Sequence, residues 1–462
     1  MRVFIMLFYI LLISSSIAQG DSNKYFTYSE YLQIVLKHHP VSCQANLKKR
    51  EGEVLKQKAK GAFDPKLIGT VSQKYYDDKQ YYSYLNGSLK VPMWFGIETF
   101  AGYDNNDGVR LNPESYSNSQ GLWNAGISMN LGKGLMIDQR RADLKQSEIM
   151  RTSTVLERRI ILNQLLFDAS VVYFEWYKAY EKAKLYEDNL NNIKTRYSNV
   201  VESVAFGDKP AIDTLKIGIQ IQDRKIKLMQ TELDLQNKKA LLNTYLWQDG
   251  FIPLELDTVV SPKIDTIIVN VDVTDIELLL SSHPKILIQE NNISFSKINY
   301  RLKRENLKPT LKIKYNTLSN GQTNNTFSDY SITNYNWSAS VSYPIFTRKE
   351  RAEVKLSELK LENNKAKLLD VKANVKYSVI SAVNKMESYK EQLYAHERAV
   401  LMYEALLKSE QQLFDIGESS LFLINTRDQN LINAEIKLLE AIFEYRVSES
   451  LMNFYSMSMV NS

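Results

Sequence analysis

Two stretches of the chain alternate between apolar and small polar residues, and each runs directly into a very long helical pattern. A period of two places the apolar residues on one face of a strand. In the later stretch aromatic residues lie toward both ends of that face, as in barrel strands that contact lipid. The sequence therefore predicts two bilayer-sized strands, 122–131 and 334–343, whose lipid-facing residues include Trp123, Ile127, Trp337, Val341 and Tyr343.

The residues after each strand carry no strand pattern and almost no helix breakers. From about Lys349 to Phe414 there is no Gly or Pro, which predicts one helix of roughly 66 residues, ~100 Å long. An earlier helix is predicted from about Ile137 to Phe206. Each ends at a glycine, and a return helix follows, to about Trp247 and to about Phe454. Apolar residues seven apart on the first return helix predict a coiled-coil partner: Ile221, Leu228, Leu235 and Leu242.

These patterns occur twice in the same order. The dipeptides His39-Pro40 and Asp64-Pro65 match His283-Pro284 and Lys308-Pro309 at one offset, and Gly207 matches Gly417. An internal repeat of this size concerns the whole fold. We predict a signal peptide at 1–18, a first repeat at 19–248, a connecting segment at 249–278 and a second repeat at 279–462. Strands are expected at about 67–131 and 310–346, and helical hairpins at about 137–247 and 349–456.

The repeat predicts a mainly α fold with a β-barrel contribution. Each half gives a short helix, two strands, a long helix and a return helix, so one chain supplies four transmembrane strands. Residues 76–120 are expected to form an extended hairpin with an irregular tip, in which 84–91 and 95–103 could add short strands. Open strand edges are not tolerated in hydrocarbon, and the smallest barrels have eight strands. Several copies must therefore close the barrel, and the long hairpins would form an α-barrel beside it.

Composition narrows the function classes. The net charge of +5 gives no strong argument for nucleic acid, and a mean hydropathy of −0.32 disfavours a multispan helical membrane protein. The first residues combine one positive charge with the apolar run 3–13 and a small-residue end at Ala18, which predicts a cleaved secretory signal. Cys43 is the only cysteine, so an intrachain disulfide is excluded.

We find no pattern of catalytic chemistry. Gly132-Lys133-Gly134 lacks the spacing of a phosphate loop, and three of the four histidines sit at the repeated His-Pro turns. The acidic and amide residues at 77–78 and 104–107 could bind a cation, but a hydrated loop is the favoured interpretation. The sequence predicts no enzyme, no cofactor and no metal site.

The two halves resemble the outer-membrane efflux proteins of the TolC type over residues 22–456. The residues that carry the resemblance are the paired His-Pro dipeptides, Asp64-Pro65, the two glycine turns, 137–142 and 342–346. The resemblance implies a homotrimer in the outer membrane of a Gram-negative bacterium, with its helical part in the periplasm. It further implies an exit duct for efflux or type I secretion, opened by a periplasmic adaptor protein and an inner-membrane transporter.

The resemblance also places a periplasmic entrance at the two helix–turn–helix tips. The family has an Asp six residues after the first turn glycine, which Asp213 matches, and an aromatic residue before the second, which Phe414 matches. Where the best-studied member has an Arg and two acids, this chain has Ser419, Leu423 and Thr426. The family's salt bridge from Asp213 and its acidic ring are therefore not expected here. Glu418, Asn425, Arg427 and Asp428 could supply a different polar latch, or they could be solvated turn residues. The entrance candidates are Gly207, Asp208, Asp213, Phe414, Gly417, Glu418, Ser419, Leu423, Asn425 and Thr426, with Arg427 and Asp428 nearby.

Two other functions remain open from the sequence. The heptad seams alone also fit a periplasmic adaptor or scaffold without spanning strands. In that case charged substitutions at Trp337 and Val341 would leave localisation unchanged. A weaker option is a channel-like receptor for phage or toxin, which rests on the long first hairpin alone.

Overall fold

A computed structural model describes residues 25–207, 209–257, 260–264, 276–320 and 333–460. The predicted signal peptide, Asp208 and part of the predicted connecting segment 249–278 lie outside them. The described elements are β1 Tyr25–Thr27, α1 Tyr28–His38, α2 Pro40–Lys60, β2 Lys66–Tyr76, β3 Lys79–Pro92, β4 Ile97–Asp107, β5 Leu122–Asn130, α3 Gln139–Ala205, α4 Ile212–Asn243, β6 Trp247–Gln248, β7 Ile252–Pro253, β8 Ser261–Lys263, α5 Ile276–Ser282, α6 Pro284–Glu305, β9 Thr310–Ser319, β10 Tyr335–Ser342, α7 Arg348–Asp415 and α8 Leu421–Tyr455.

The main sheet is antiparallel and has six described strands, in the order β10-β9-β5-β4-β3-β2. The prediction of four strands per chain is therefore wrong for this sheet. The two extra strands, β3 and β4, come from the region expected to be an irregular hairpin. Asp77 and Asp78 both have positive φ, and Tyr76 pairs with Lys79 across them. Two positive-φ residues in a two-residue loop make the tight hairpin turn that lets β2 continue directly into β3.

The register gives the sheet one apolar and one polar face. Ile127 pairs with Tyr315, and Tyr315 with Trp337, so these side chains share one face. The residues of that face are mostly apolar and exposed, and they include Leu67, Val71, Leu85, Leu89, Trp123, Ile127, Tyr315, Trp337 and Val341. The opposite face carries Asn, Ser and Lys side chains. An apolar face of this size that no described element covers is a surface for another apolar medium or partner.

The two long helices form the shaft of the molecule. Helix α3 packs against α2 and α4 and also against α6 and α8, while α7 packs against α6 and α8. At 67 and 68 residues, α3 and α7 each extend about 100 Å at 1.5 Å per residue. No helix in the described ranges is both long and apolar enough to cross a membrane.

A buried aromatic cluster lies partway along the shaft, where α1 and the end of α4 meet α3. Tyr31, Tyr173 and Trp176 are almost fully buried there. The Tyr173 hydroxyl donates to the carbonyl of Phe26, at 2.6 Å. Strand β1 pairs in parallel with β8 beside this cluster, so the N-terminal strand is tied to part of the connecting segment.

Matched residues of the two halves make matched contacts. His39 and His283 each cap the following helix, because each Nδ1 accepts from the backbone N–H two residues later at 3.2 Å. Arg141 and Arg351 each donate to carbonyls of the turn just before their long helix. The capping contacts give the repeated His-Pro dipeptides a structural reason. The domain boundaries themselves stay a prediction.

Candidate functional site

The candidate site lies at the far end of the shaft from the sheet, where α3 turns into α4 and α7 into α8. Gly207 and Gly417 have φ of +83° and +84°. This left-handed conformation favours glycine because it lacks a Cβ. Each predicted turn glycine therefore lies in the turn directly after a long helix, Gly207 after α3 and Gly417 after α7.

The turn at Gly417 closes α7 with a Schellman motif. The N–H of Gly417 donates to the carbonyl of Phe414 at 3.1 Å, and that of Glu418 to the carbonyl of Leu413 at 2.8 Å. These two bonds satisfy carbonyls that a helix C-terminus otherwise leaves unpaired. Ser420 then caps α8, because its Oγ accepts from the N–H of Leu423 at 3.4 Å. Glu418 and Leu423 thus contribute backbone bonds to the turn.

Ser419 and Arg427 converge on one carboxylate of α7. The Ser419 hydroxyl donates to Glu410, and Arg427 Nε lies 3.3 Å from Glu410 Oε2. The hydrogen bond from Ser419, together with Arg427, lowers the pKa of Glu410 below its ordinary value. Because Glu410 therefore stays ionised, it fastens both the turn and the first part of α8 to α7.

A second ionic cluster joins the two hairpins. The carboxylate of Asp428 on α8 lies 2.9 Å from Arg224 Nη2 on α4 and 3.4 Å from Arg196 Nη2 on α3. Arg196 also donates to Oδ1 of Asn425 at 3.3 Å. We call Arg196, Arg224, Asn425 and Asp428 the inter-hairpin latch. Its ion pairs and its hydrogen bond link the three helices α3, α4 and α8.

The charged groups of the latch are largely buried, so each needs a partner of opposite charge. The side chain of Arg224 is 7% exposed and that of Asp428 is 14% exposed. Burial lowers the pKa of the Arg224 guanidinium, and the nearby Asp428 opposes that effect. Within the described residues, Nη1 of Arg224 has no hydrogen-bond partner. The guanidinium stays charged in proteins, so Asp428 is what compensates a charge that is largely removed from water.

The remaining tip candidates are not part of the latch. Asp213 pairs with Lys216 of its own helix at 3.0 Å, and Thr426 donates to the carbonyl of Phe422 at 2.8 Å. The ring of Phe414 lies 3.7 Å from the ammonium of Lys209, a cation–π contact between the two turns. These contacts brace each turn locally, and only the last connects one turn to the other.

The sequence reasoning missed Arg196, Arg224 and Glu410. A signal for Arg224 was present, because it lies three residues after Ile221 in the apolar seam of α4. A charged residue at a seam position is costly unless it is paired, so it indicates a specific partner. No comparable signal marks Arg196, whose partners on α8 are more than 200 positions away along the chain.

The predicted lipid-facing residues all lie at or just beyond the sheet. Trp123, Ile127, Trp337 and Val341 belong to the apolar face and are exposed. Strand β10 ends at Ser342, so Tyr343 follows the strand, with its side chain half exposed. Tyr315 stacks on Tyr335 at a ring distance of 5.9 Å, which continues the aromatic surface from β9 to β10.

Comparison with known proteins agrees with this architecture. Residues 276–450 match the family model of outer membrane efflux proteins. No curated protein sequence matches the chain. The open-state Neisseria gonorrhoeae MtrE outer membrane channel is similar in structure, with a TM-score of 0.67 at 14% identity over 95% of this chain and 90% of that one.

Two further solved structures are similar over nearly the whole chain. CusC, whose crystal structures concern conformational changes accompanying folding and transmembrane channel formation, is similar with a TM-score of 0.66 at 16% identity, over 96% of this chain and 95% of that one. The Campylobacter jejuni CmeC outer membrane channel gives 0.64 at 12% identity, over 94% and 85%. The resemblance to TolC-type outer membrane efflux proteins is thus confirmed at this level: residues 276–450 match the model of the outer membrane efflux protein family, and the chain shares the fold of solved outer membrane channels.

Proposed function

We propose that this protein is an outer-membrane exit duct of a tripartite efflux pump or type I secretion system. One observation carries the proposal: a sheet with one exposed apolar face is connected directly to a helical shaft about 100 Å long. The sheet is suited to contact lipid, and the shaft is suited to reach deep into the periplasm. A scaffold of helical hairpins has no use for the apolar face, so the sheet favours the duct.

Several copies are needed to complete the duct. The sheet of one chain ends in two edge strands, β2 and β10, and lipid tolerates neither edge unpaired. Pairing β2 of one copy with β10 of the next closes a barrel. In the proposed homotrimer it would contain eighteen strands, and a barrel of that size leaves an aqueous channel. The helical hairpins of the copies would together enclose the tunnel.

The tips of the hairpins form the entrance. The inter-hairpin latch ties α8 to α3 and α4, and Glu410 ties the second turn to α7. We propose that these bonds hold the entrance closed in the resting protein. An adaptor protein bound to an inner-membrane transporter would open it by displacing the hairpins, after which cargo passes without catalysis by this chain.

The proposal is tested by locating and reconstituting the full-length protein. It should fractionate with the outer membrane as an oligomer, and the purified oligomer should conduct ions in a planar lipid bilayer. Co-purification of an inner-membrane transporter would identify the pump that it serves. A monomer recovered in the soluble fraction, or an oligomer that never conducts, would contradict the proposal.

A further inference from the structure

Four lysines lie on the polar face of the sheet, close to the end that joins the helices. Lys66 is the first residue of β2 and pairs directly with Lys90 of β3. On β9, Lys312 pairs with Asn130 and Lys314 with Ser128. Because alternate residues of paired strands share a face, all four side chains point away from the apolar face. We call these four residues the lysine face.

The lysine face has little negative charge to balance it. Within the described residues, none of the four lysines forms an ion pair with a carboxylate. The polar face of the strands that pair here carries two acids, Glu98 and Asp104. Glu98 lies 2.9 Å from Arg140 Nη1 at the start of α3, so its charge is already compensated. Asp104 accepts from Nδ2 of Asn124 at 2.9 Å and is the remaining acid.

The pairing of Lys66 with Lys90 lowers the stability of the folded sheet, so folding by itself gives no reason for it. Like charges placed directly opposite each other on adjacent strands destabilise a sheet. Lys314 lies over the ring of Phe100, with Nζ 4.4 Å from its centroid, which orients its ammonium without neutralising it. Asp104 attracts Lys314 and so compensates part of this charge. The positive charge that remains is available to act on ions that pass the patch.

We propose that the lysine face lines the lumen of the duct and makes it selective for anions, so that the cargo is anionic. The inference rests on the proposed function, which places the polar face of the sheet inside the barrel. Repetition of the four lysines by each copy gives a positively charged ring. Rings of Lys or Arg favour anion and phosphate passage in pores, and a low-dielectric wall strengthens their field.

The test is the reversal potential of the purified oligomer in a planar bilayer under an asymmetric KCl gradient. The reversal potential of the wild-type channel should have the sign that a preference for chloride over potassium produces. This preference should weaken as the salt concentration is raised, because ions screen the charge of the ring. In the quadruple variant K66Q/K90Q/K312Q/K314Q, the reversal potential should shift toward the value expected for a channel that prefers cations. Inorganic phosphate added to one side should reduce chloride current in the wild type more than in this variant.

A charge-preserving variant separates charge from folding damage. K66R/K90R/K312R/K314R keeps every positive charge and should keep the wild-type reversal potential. A conducting wild-type channel with cation preference, or a glutamine variant with unchanged selectivity, would overturn the inference and leave the duct intact. An oligomer with no conductance at all would overturn the duct and the inference together.

Discussion

The carboxylate of Asp428 lies 2.9 Å from Arg224 Nη2, and this ion pair joins the return helices of the two halves of the chain. Both side chains are largely buried, and Arg196 approaches the other carboxylate oxygen. A duplicated chain thus closes its two hairpins on each other through a contact that neither half contains by itself. Each hairpin has its own turn geometry, and the latch couples the two.

Replacing Asp428 by Asn is expected to loosen the entrance. The substitution leaves Arg224 charged and buried without its partner, and breaking such a pair costs about 3 kcal/mol or more. The open fraction of single channels should rise, and amide hydrogen exchange should speed up along the tips of α4 and α8. Asp213→Asn is the matched control. It removes an ion pair to Lys216, which is half exposed, and such pairs contribute about 1 kcal/mol or less. Equal behaviour of the two variants would refute the role of the latch.

Glu435 should make the helical packing depend on pH. Burial, and then the nearby carboxylates of Glu404, Asp428 and Asp188, raise the pKa of Glu435 to about 7. The folded protein therefore binds a proton that the unfolded chain releases at lower pH. The resulting stability is present in full below the ordinary carboxyl pKa and is lost as pH rises through about 7.

Thermal unfolding between pH 5 and pH 8 checks this sign. The midpoint of the wild type should fall more steeply with rising pH than that of Glu435→Gln, which cannot lose the proton. Glu418→Gln, at an exposed turn residue, should keep the wild-type slope. A wild-type midpoint that rises over this range relative to Glu435→Gln would show that the sign is wrong.

The two faces of the sheet should respond differently to charge. Trp337→Lys places an ammonium on the apolar face, and lysine on the lipid side of a barrel costs up to about 2–4 kcal/mol near the bilayer midplane. Less of this variant should reach the outer-membrane fraction. Asn336→Lys, one residue earlier and on the opposite face, should insert normally. Normal insertion of both variants would favour the scaffold interpretation.

Two glycines of the hairpins should respond in opposite directions to alanine. Gly417 has φ of +84°, where a Cβ costs about 1–2 kcal/mol, so Gly417→Ala should lower the thermal midpoint. Gly218 lies inside α4, and a Cβ there would meet no atom within 4 Å. Gly218→Ala should raise the midpoint, because alanine is favoured over glycine in helices by about 1 kcal/mol. A shift in the same direction for both would argue against the turn geometry.

The sequence predicted the parts of the fold that depend on local periodicity. The helix expected from about Ile137 to Phe206 is Gln139–Ala205, and the strand expected at 334–343 is Tyr335–Ser342. Long uninterrupted patterns define such elements well because every turn of helix repeats the same signal. The turn glycines were predictable for the same reason, since a break in the pattern exposes them.

The missed features depend on turn chemistry and on distant contacts. Asp77-Asp78 makes a two-residue turn without the usual glycine, so β3 and β4 were expected as short strands in an irregular region. For the entrance, the resemblance points to the positions of Ser419, Leu423 and Thr426, and the sequence adds Asn425 and Asp428 only as polar residues nearby. Arg196 and Arg224 could not be predicted as partners of Asp428, because their pairing arises only when the two hairpins meet.

Disulfide cross-linking between the edges of the sheet tests most directly that neighbouring copies close one barrel. In a Cys43→Ser background, single cysteines would be placed along the polar face of β10, at 336, 338 and 340, and combined with cysteines at 68, 70 and 72 of β2. A pair in register brings the two Cβ atoms within about 4.5 Å, and an oxidised bond can form. The account predicts that at least one pair yields covalent dimers and then a trimer band in the outer-membrane fraction. Monomer alone for every pair, in protein that has reached the outer membrane, would contradict it.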